Sequence, residues 1–167
     1  MRIDVREERT FDVEPIRDVN RRAFGQSQEA DIVDALRLNG ASSLSLVATV
    51  DNHIAGHIMY SPVEIGRLEG SGLGPVAVLP EYQRRGIGSA LVEAGNRRHA
   101  LAGCPFIVVL GHPAFYPRFG FRTSGTLGVS CEWDVPDDMF QILVLDPVRM
   151  AGVSGVARYR REFSIVR

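Results

Sequence analysis

The chain has 167 residues, 45% of them hydrophobic and 23% charged, with a formal net charge of −1. That length can bury a hydrophobic core without staples, and the composition excludes a disordered chain. The near-neutral balance argues against a protein devoted to nucleic acid, which shows a strongly basic face. Its two cysteines, Cys104 and Cys131, lack metal-ligand spacing and read as reduced thiols. The opening "MRIDVREERTF" is charged from its second residue and shows no signal peptide. The longest apolar runs, such as "FIVVL" at 106–110, are far too short to span a membrane. A cytoplasmic protein without a membrane partner is expected.

In chain order, residues 2–6 alternate and predict a first strand. Asp12 is placed to cap a helix carrying Ile16, Val19 and Ala23 on one side. Ser27 opens a second helix, with Ile32, Val33 and Leu36 as its buried stripe and Asn39-Gly40 as its stop. "LSLVATV" and "HIAGHIMYSPVEI" read as strands joined in a hairpin across Asp51-Asn52. The glycine-rich "GRLEGSG" is expected to be a connection, and "EGSGLG" at 69–74 a flexible loop rather than a phosphate site, leading into the strand "LGPVAV". A helix after "RRGIG" places Ile87, Ala90, Leu91, Ala94 and Leu101 on one face and stops at Gly103. "FIVVLG" predicts a central strand buried on both faces. A short helix near Ala114–Phe119 ends at Gly120, and two more strands follow near Thr126–Trp133 and Met139–Leu145. Beyond 148 the even spacing of Ala157, Tyr159, Phe163 and Ile165 suggests a strand-like tail. There is no repeat and no linker. The crossover from 73 to 110 is expected to be right-handed and parallel within a mixed sheet.

"RRGIG", Arg84 to Gly88, stands at the mouth of a helix that follows a strand. First-turn N–H groups there have no intrahelical partner and converge with the positive end of the helix dipole, which suits a phosphate. Gly86 and Gly88 remove side chains that would hold an oxygen away, and Arg84 and Arg85 bring positive charge. A P-loop needs lysine and then serine or threonine after its last glycine, whereas Ser89-Ala90 follows Gly88. A dinucleotide turn needs glycine or alanine where Leu91 stands, and an acid where Phe106 stands. A third pattern, Gln/Arg-x-x-Gly-x-Gly/Ala after a strand, is matched in full by "QRRGIG", Gln83 to Gly88.

That pattern, "LGPVAVLPEYQRRGIGSALV" (73–92) and "VLGHPAFYPRFGF" (109–121) together resemble the GNAT superfamily of N-acetyltransferases, most closely its YhbS-like branch. The resemblance implies an α+β domain with a central mixed, mostly antiparallel sheet of about seven strands flanked by helices. The strands at 73–78 and 106–111 would be parallel and splayed. Residues 1–147 would form the acetyltransferase domain, and 148–167 a strand-like extension of it. Acetyl-CoA would lie in the opening between the splayed strands. The backbone of Val76 and Val78 would meet its pantetheine arm, and the turn Arg84, Arg85, Gly86, Ile87, Gly88 and Ser89 its pyrophosphate. Pro75 lacks an N–H, so a break in the ladder there is physically reasonable.

The implied reaction moves an acetyl group to a primary amine by direct attack on the thioester. It requires a neutral amine, a stabilised oxyanion and a protonated leaving thiolate. Tyr116 in "YPRFGF" holds the position of the thiol-facing acid, and its competing reading is a ring packed among Phe115, Phe119 and Phe121. No base declares itself: where relatives carry an acid or histidine stand Gly72 and Gly74, which leaves His57, Glu64, Glu132 and His112 as candidates. His112 could instead cap the short helix. His53 and His57, four strand residues apart, are separated by about 13 Å and cannot share an ion, so no metal is expected. The rival reading is an acyl-CoA-binding sensor on the same fold without turnover. The amine acceptor is unidentified, and a homodimer is left open.

Overall fold

The structure is a computed structural model and describes residues 1–166, with side chains through 164. Strand β1 (Ile3–Glu7) is followed by helices α1 (Val13–Phe24) and α2 (Gln28–Leu38). Three long strands come next, β2 (Leu44–Val50), β3 (His53–Ile65) and β4 (Leu68–Val78). Helix α3 (Ile87–Leu101) crosses to β5 (Phe106–Leu110), and β6 (Arg122–Thr123), β7 (Val129–Cys131) and β8 (Phe140–Val144) follow. A single turn of helix, α4 (Pro147–Met150), precedes β9 (Gly155–Arg158).

Among the described residues nine strands form one mixed sheet in the order β1-β2-β3-β4-β5-β8-β6, with β9 paired to β3 and β7 to β9. Beyond the seven or so expected strands stand β9, within the stretch expected to be a strand-like tail, and the two-residue β6, too brief to leave a period in the sequence; β7 is a three-residue piece of the strand expected near Thr126–Trp133. β4 and β5 are parallel, as the crossover requires, and β7 and β9 form a second parallel pair. The β2–β3 hairpin turns through Asp51 and Asn52 at positive φ (51° and 66°), the geometry that matches strand twist.

Alternation along β3 divides the core. Ile58 and Tyr60 join Leu91 of α3 on one face, while Met59 lies on the other with Ile16 of α1 and with Ile32 and Leu36 of α2. The α3 stripe runs through Ile87, Leu91, Val92, Gly95, Asn96 and His99. Leu101, expected on that face, is 83% exposed, because the helical period carries the buried line through His99 and past it. Asp12 does not cap α1 with its side chain. Its carboxylate turns back to accept from the Arg9 N–H and from Arg6 Nη1, both at 2.7 Å.

The largest correction concerns "GRLEGSG" and "EGSGLG". Only Gly66 and Arg67 turn, and β4 starts at Leu68 and pairs with β3 throughout this stretch. The glycines serve close packing rather than flexibility. A Cβ on Gly70 would lie 2.6 Å from the Phe106 ring, and one on Gly72 would lie 2.7 Å from Val63 and 2.9 Å from Tyr159. The tail forms a strand only at β9. Phe163 belongs to a 3-10 turn, Arg161–Val166, and the Ile165 side chain lies outside the described residues.

Candidate active site

The site starts where β4 leaves β5. The two pair only at Ser71–Ile107, Gly72–Val108 and Leu73–Val109, and the pairing stops before Pro75. On its other edge β4 continues along β3, with Ala77 opposite His57 and the Leu79 N–H donating to the Ala55 carbonyl at 2.9 Å. Alternate residues of an antiparallel ladder turn their backbone groups the same way, so Ala77 and Leu79 face β3 while Val76 and Val78 face the opening. The Val78 carbonyl accordingly accepts from Gln83 Nε2 at 3.0 Å. The N–H groups of the half-buried Val76 and Val78 thus turn away from β3 into the opening left by β5.

Gln83 ties the strand end to the glycine turn. Gly86 is the N-cap of α3 at φ 87°, and Arg84 also has positive φ (63°), so the backbone curls back upon itself before the helix. The first helical bond is Ala90 N–H to Gly86 C=O at 3.0 Å. The N–H groups of Ile87, Gly88 and Ser89 therefore have no helical acceptor. Ile87 contributes only its backbone, since its side chain is buried in the core. At Gly88 a Cβ would meet nothing nearer than Phe115 at 3.8 Å and Val78 at 3.9 Å. The fold itself leaves room for a side chain there, and that open space is where an anion could approach the helix end. Arg84 and Arg85 are exposed, and Arg85 stands 5.9 Å over the Tyr82 ring.

A cavity of about 500 Å³ opens beside the divergence, with Leu73, Gly74, Pro75 and Val76 on one wall and Leu110, Gly111 and Tyr116 on another. Tyr116 begins a 3-10 turn, Tyr116–Phe119, closed by Gly120 at φ 94°. Its ring packs against Phe115 and Phe121 at centroid distances of 5.0 and 5.6 Å. Gly111 admits the ring, since a Cβ there would lie 2.6 Å from it. Burial pushes the Tyr116 hydroxyl up to about 12, so it keeps its proton at neutral pH. Val76 and Tyr116 thus border one cavity, while Val78 and the turn from Arg84 to Ser89 lie farther along the same edge of β4 and do not line it.

A family profile described as "Acetyltransferase (GNAT) domain" matches residues 41–123. YjhQ of Escherichia coli K12, described as an uncharacterized N-acetyltransferase, is 35% identical over 153 residues, covering 84% of each chain. The chain belongs to the GNAT family of N-acetyltransferases. YhbS of the same organism, described likewise, is 33% identical over 163 residues, 96% of this chain and 98% of that one. The crystal structure of YhbS in complex with CoA superimposes with a TM-score of 0.94 at 33% identity, over 98% of this chain and 93% of that chain. A GNAT acetyltransferase from Brucella melitensis in complex with acetyl-CoA gives 0.82 at 37%, over 97% and 98%. The GNAT fold and the YhbS-like branch are therefore those of this chain.

Within this GNAT frame the four candidate bases all lie off the cavity. His57 faces α1 and α2, fully buried, with Nδ1 3.1 Å from Asn20 Nδ2 and Nε2 2.9 Å from Ser45 Oγ. Burial drives its pKa down to about 3, against the opposing charge of Glu8. A ring so engaged is a structural joint. Glu64 is exposed at the far end of β3. Glu132 accepts from the Tyr159 N–H at 2.8 Å, and His112 Nδ1 accepts from the Ala114 N–H at 3.3 Å in the turn before Tyr116–Phe119, whose N-cap is Phe115 without a side-chain bond, so His112 does not cap the short helix. Neither cysteine lines the cavity, and burial pushes the Cys104 thiol up. Among the described residues no group of three or more acids, histidines or cysteines could hold a metal ion, and no helix is long and apolar enough to cross a membrane.

Sequence reasoning missed the remaining wall. Phe24 ends α1, Gln28 and Glu29 begin α2, and Trp133, Tyr159 and Phe163 arrive from the C-terminal third. Among the described residues Glu29 is the one charged residue lining the cavity. Only the hydrophobicity of the tail hinted at these residues, because they meet through tertiary contact and share no local pattern.

Proposed function

We propose that this protein transfers the acetyl group of acetyl-CoA to a primary amine by direct attack on the thioester. The observation that carries the reading is one continuous edge. The free N–H groups of Val76 and Val78 lead from the first turn of α3 to a cavity bordered by Tyr116. The relatives crystallised with CoA and acetyl-CoA support it. The N–H groups of Ile87, Gly88 and Ser89, with Arg84 or Arg85, would receive the pyrophosphate, and Val76 and Val78 the pantetheine amides. A backbone N–H at the mouth of the splay would stabilise the negative charge developing on the thioester oxygen. The amine nitrogen bonds to the acetyl carbon and the carbon–sulfur bond breaks. Tyr116 gives its proton to the departing thiolate and regains one from the amine's release, leaving an amide, CoA thiol and one net proton for each ammonium consumed. Cys104 and Cys131 lie elsewhere, which supports transfer without an acetyl-enzyme.

A second reading, an acyl-CoA sensor without turnover, is favoured by one observation: the four expected bases all lie off the cavity. Release of free CoA from acetyl-CoA across a panel of amines separates the two. Acetyl transfer predicts amine-dependent thiol release, whereas tight CoA binding with no release from any amine would leave the sensor.

A further inference from the structure

The composition of the cavity bears on which amine it takes, an inference that rests on the acetyl-transfer reading. Trp133, Tyr159 and Phe163 form a contiguous aromatic wall, with ring centroids 5.0 Å apart for the first pair and 5.2 Å for the second. Phe24, 40% exposed, adds a fourth ring. Among the described residues the single charged one is Glu29 in the first turn of α2, whose carboxylate accepts from Gln26 Nε2 at 3.1 and 3.2 Å. Among the described residues no arginine lines the space, and the sequence contains no lysine. A volume of about 500 Å³ fits a small molecule.

Charge matching narrows the acceptor. One carboxylate neutralises one ammonium, and ring faces attract the same cation while covering an apolar body. A polyamine would bring further ammonium groups to a cavity whose one described carboxylate can answer only one of them, so the added charges gain no partner there. A free amino acid would set its carboxylate beside Glu29 with no cation to answer it. We propose that the acceptor is a small monoamine on an aryl or similarly apolar body, its ammonium received by Glu29 and its body held against Trp133, Tyr159 and Phe163. Tyr116 borders the same cavity, so an amine held there lies next to the proposed thioester position.

The test pairs calorimetry on the CoA-loaded protein with CoA release from acetyl-CoA, using phenethylamine, spermidine, leucine and a short peptide with a free N-terminus as probes. Phenethylamine should bind tightest and give the highest kcat/KM. Glu29→Gln should weaken its binding about tenfold, the scale of one charge-assisted contact, with CoA affinity unchanged. Trp133→Leu, which keeps an apolar side chain but removes the ring, should weaken it as well. Glu64→Gln, outside the cavity, should change nothing. Preference for spermidine, leucine or the peptide overturns the assignment while leaving acetyl transfer standing, and so does phenethylamine binding indifferent to Glu29→Gln. Glu29-dependent binding of phenethylamine with no CoA release from any amine upholds the amine site but overturns acetyl transfer, and with it the amine's role as acceptor. Failure of every amine both to bind and to react overturns both.

Discussion

Tyr116 and Gly88 test the chemistry one side chain at a time. The Tyr116 ring packs against Phe115, Phe119 and Phe121, and its hydroxyl is held above the usual tyrosine range by burial. Tyr116→Phe keeps that packing and removes only the acid. Turnover should fall about 10²-fold while CoA affinity and Tm hold, as steady-state kinetics beside calorimetry would report. Unchanged turnover with the chemical step rate-limiting would remove the tyrosine from the mechanism. Gly88 is the sharper probe of the anion turn. Gly86 needs its left-handed φ of 87°, so any replacement there also strains the backbone. Gly88 has no such need and has open space around it. Gly88→Val should fold normally yet weaken CoA binding about tenfold or more by shielding the helix N–H groups from phosphate. A folded variant with the wild-type dissociation constant would refute the pyrophosphate assignment.

At the scale of elements, β4 joins fold to site. Its middle, Ser71–Leu73, pairs on both edges, and its C-terminal end keeps β3 and gives up β5. The first half must let Phe106 and Tyr159 cross closely, so Gly70 and Gly72 are packing residues. Gly70→Ala pushes a methyl group into the Phe106 ring and should destabilise the protein by about 1–3 kcal/mol, measurable as a lower urea midpoint with unchanged slope. In the sequence these glycines read as a loop, because glycine marks both flexible turns and crowded strands. Only the opposing ring distinguishes the two. By contrast β2, β3 and the hairpin between them were legible residue by residue, since alternation and the Asp51-Asn52 turn are local signals.

Across the whole molecule, a polar chain runs from Asn20 of α1 through His57 and Ser45 to Glu8, which pairs with Arg37 of α2. Folded His57 titrates at about 3, far below the 6.5 of an exposed histidine, with burial the main cause. The unfolded state thus binds the extra proton, and stability must fall as pH drops through the unfolded value. Between pH 7 and pH 5 the loss should be about 2 kcal/mol, a figure set by the unfolded histidine as long as the folded one stays neutral. Buried His99, also lowered by burial, adds in the same direction. Glu8 enters only at lower pH: burial pushes it up, but Arg37 and Ser45 outweigh that and hold it below its ordinary value. Urea titrations at the two pH values should show the decline, and His57→Gln should reduce it. An unchanged slope in that variant would mean that His57 is not the titrating group.

The sequence by itself determined the strand and helix order through β5, the glycine turn before α3 and the family. Each of these is written in local spacing: a period of two, a period of three to four, or a glycine at a helix mouth. The tertiary structure alone decided that β4 begins five residues before the expected strand, that His57 is a joint under α1 and α2, and that Glu29 meets Trp133, Tyr159 and Phe163 around one cavity. Glu29 and Phe163 stand far apart along the chain. What joins them is a pairing of sheet edges and helix faces, β9 on β3 and the last turn against α2, and no local pattern encodes which distant surfaces will meet.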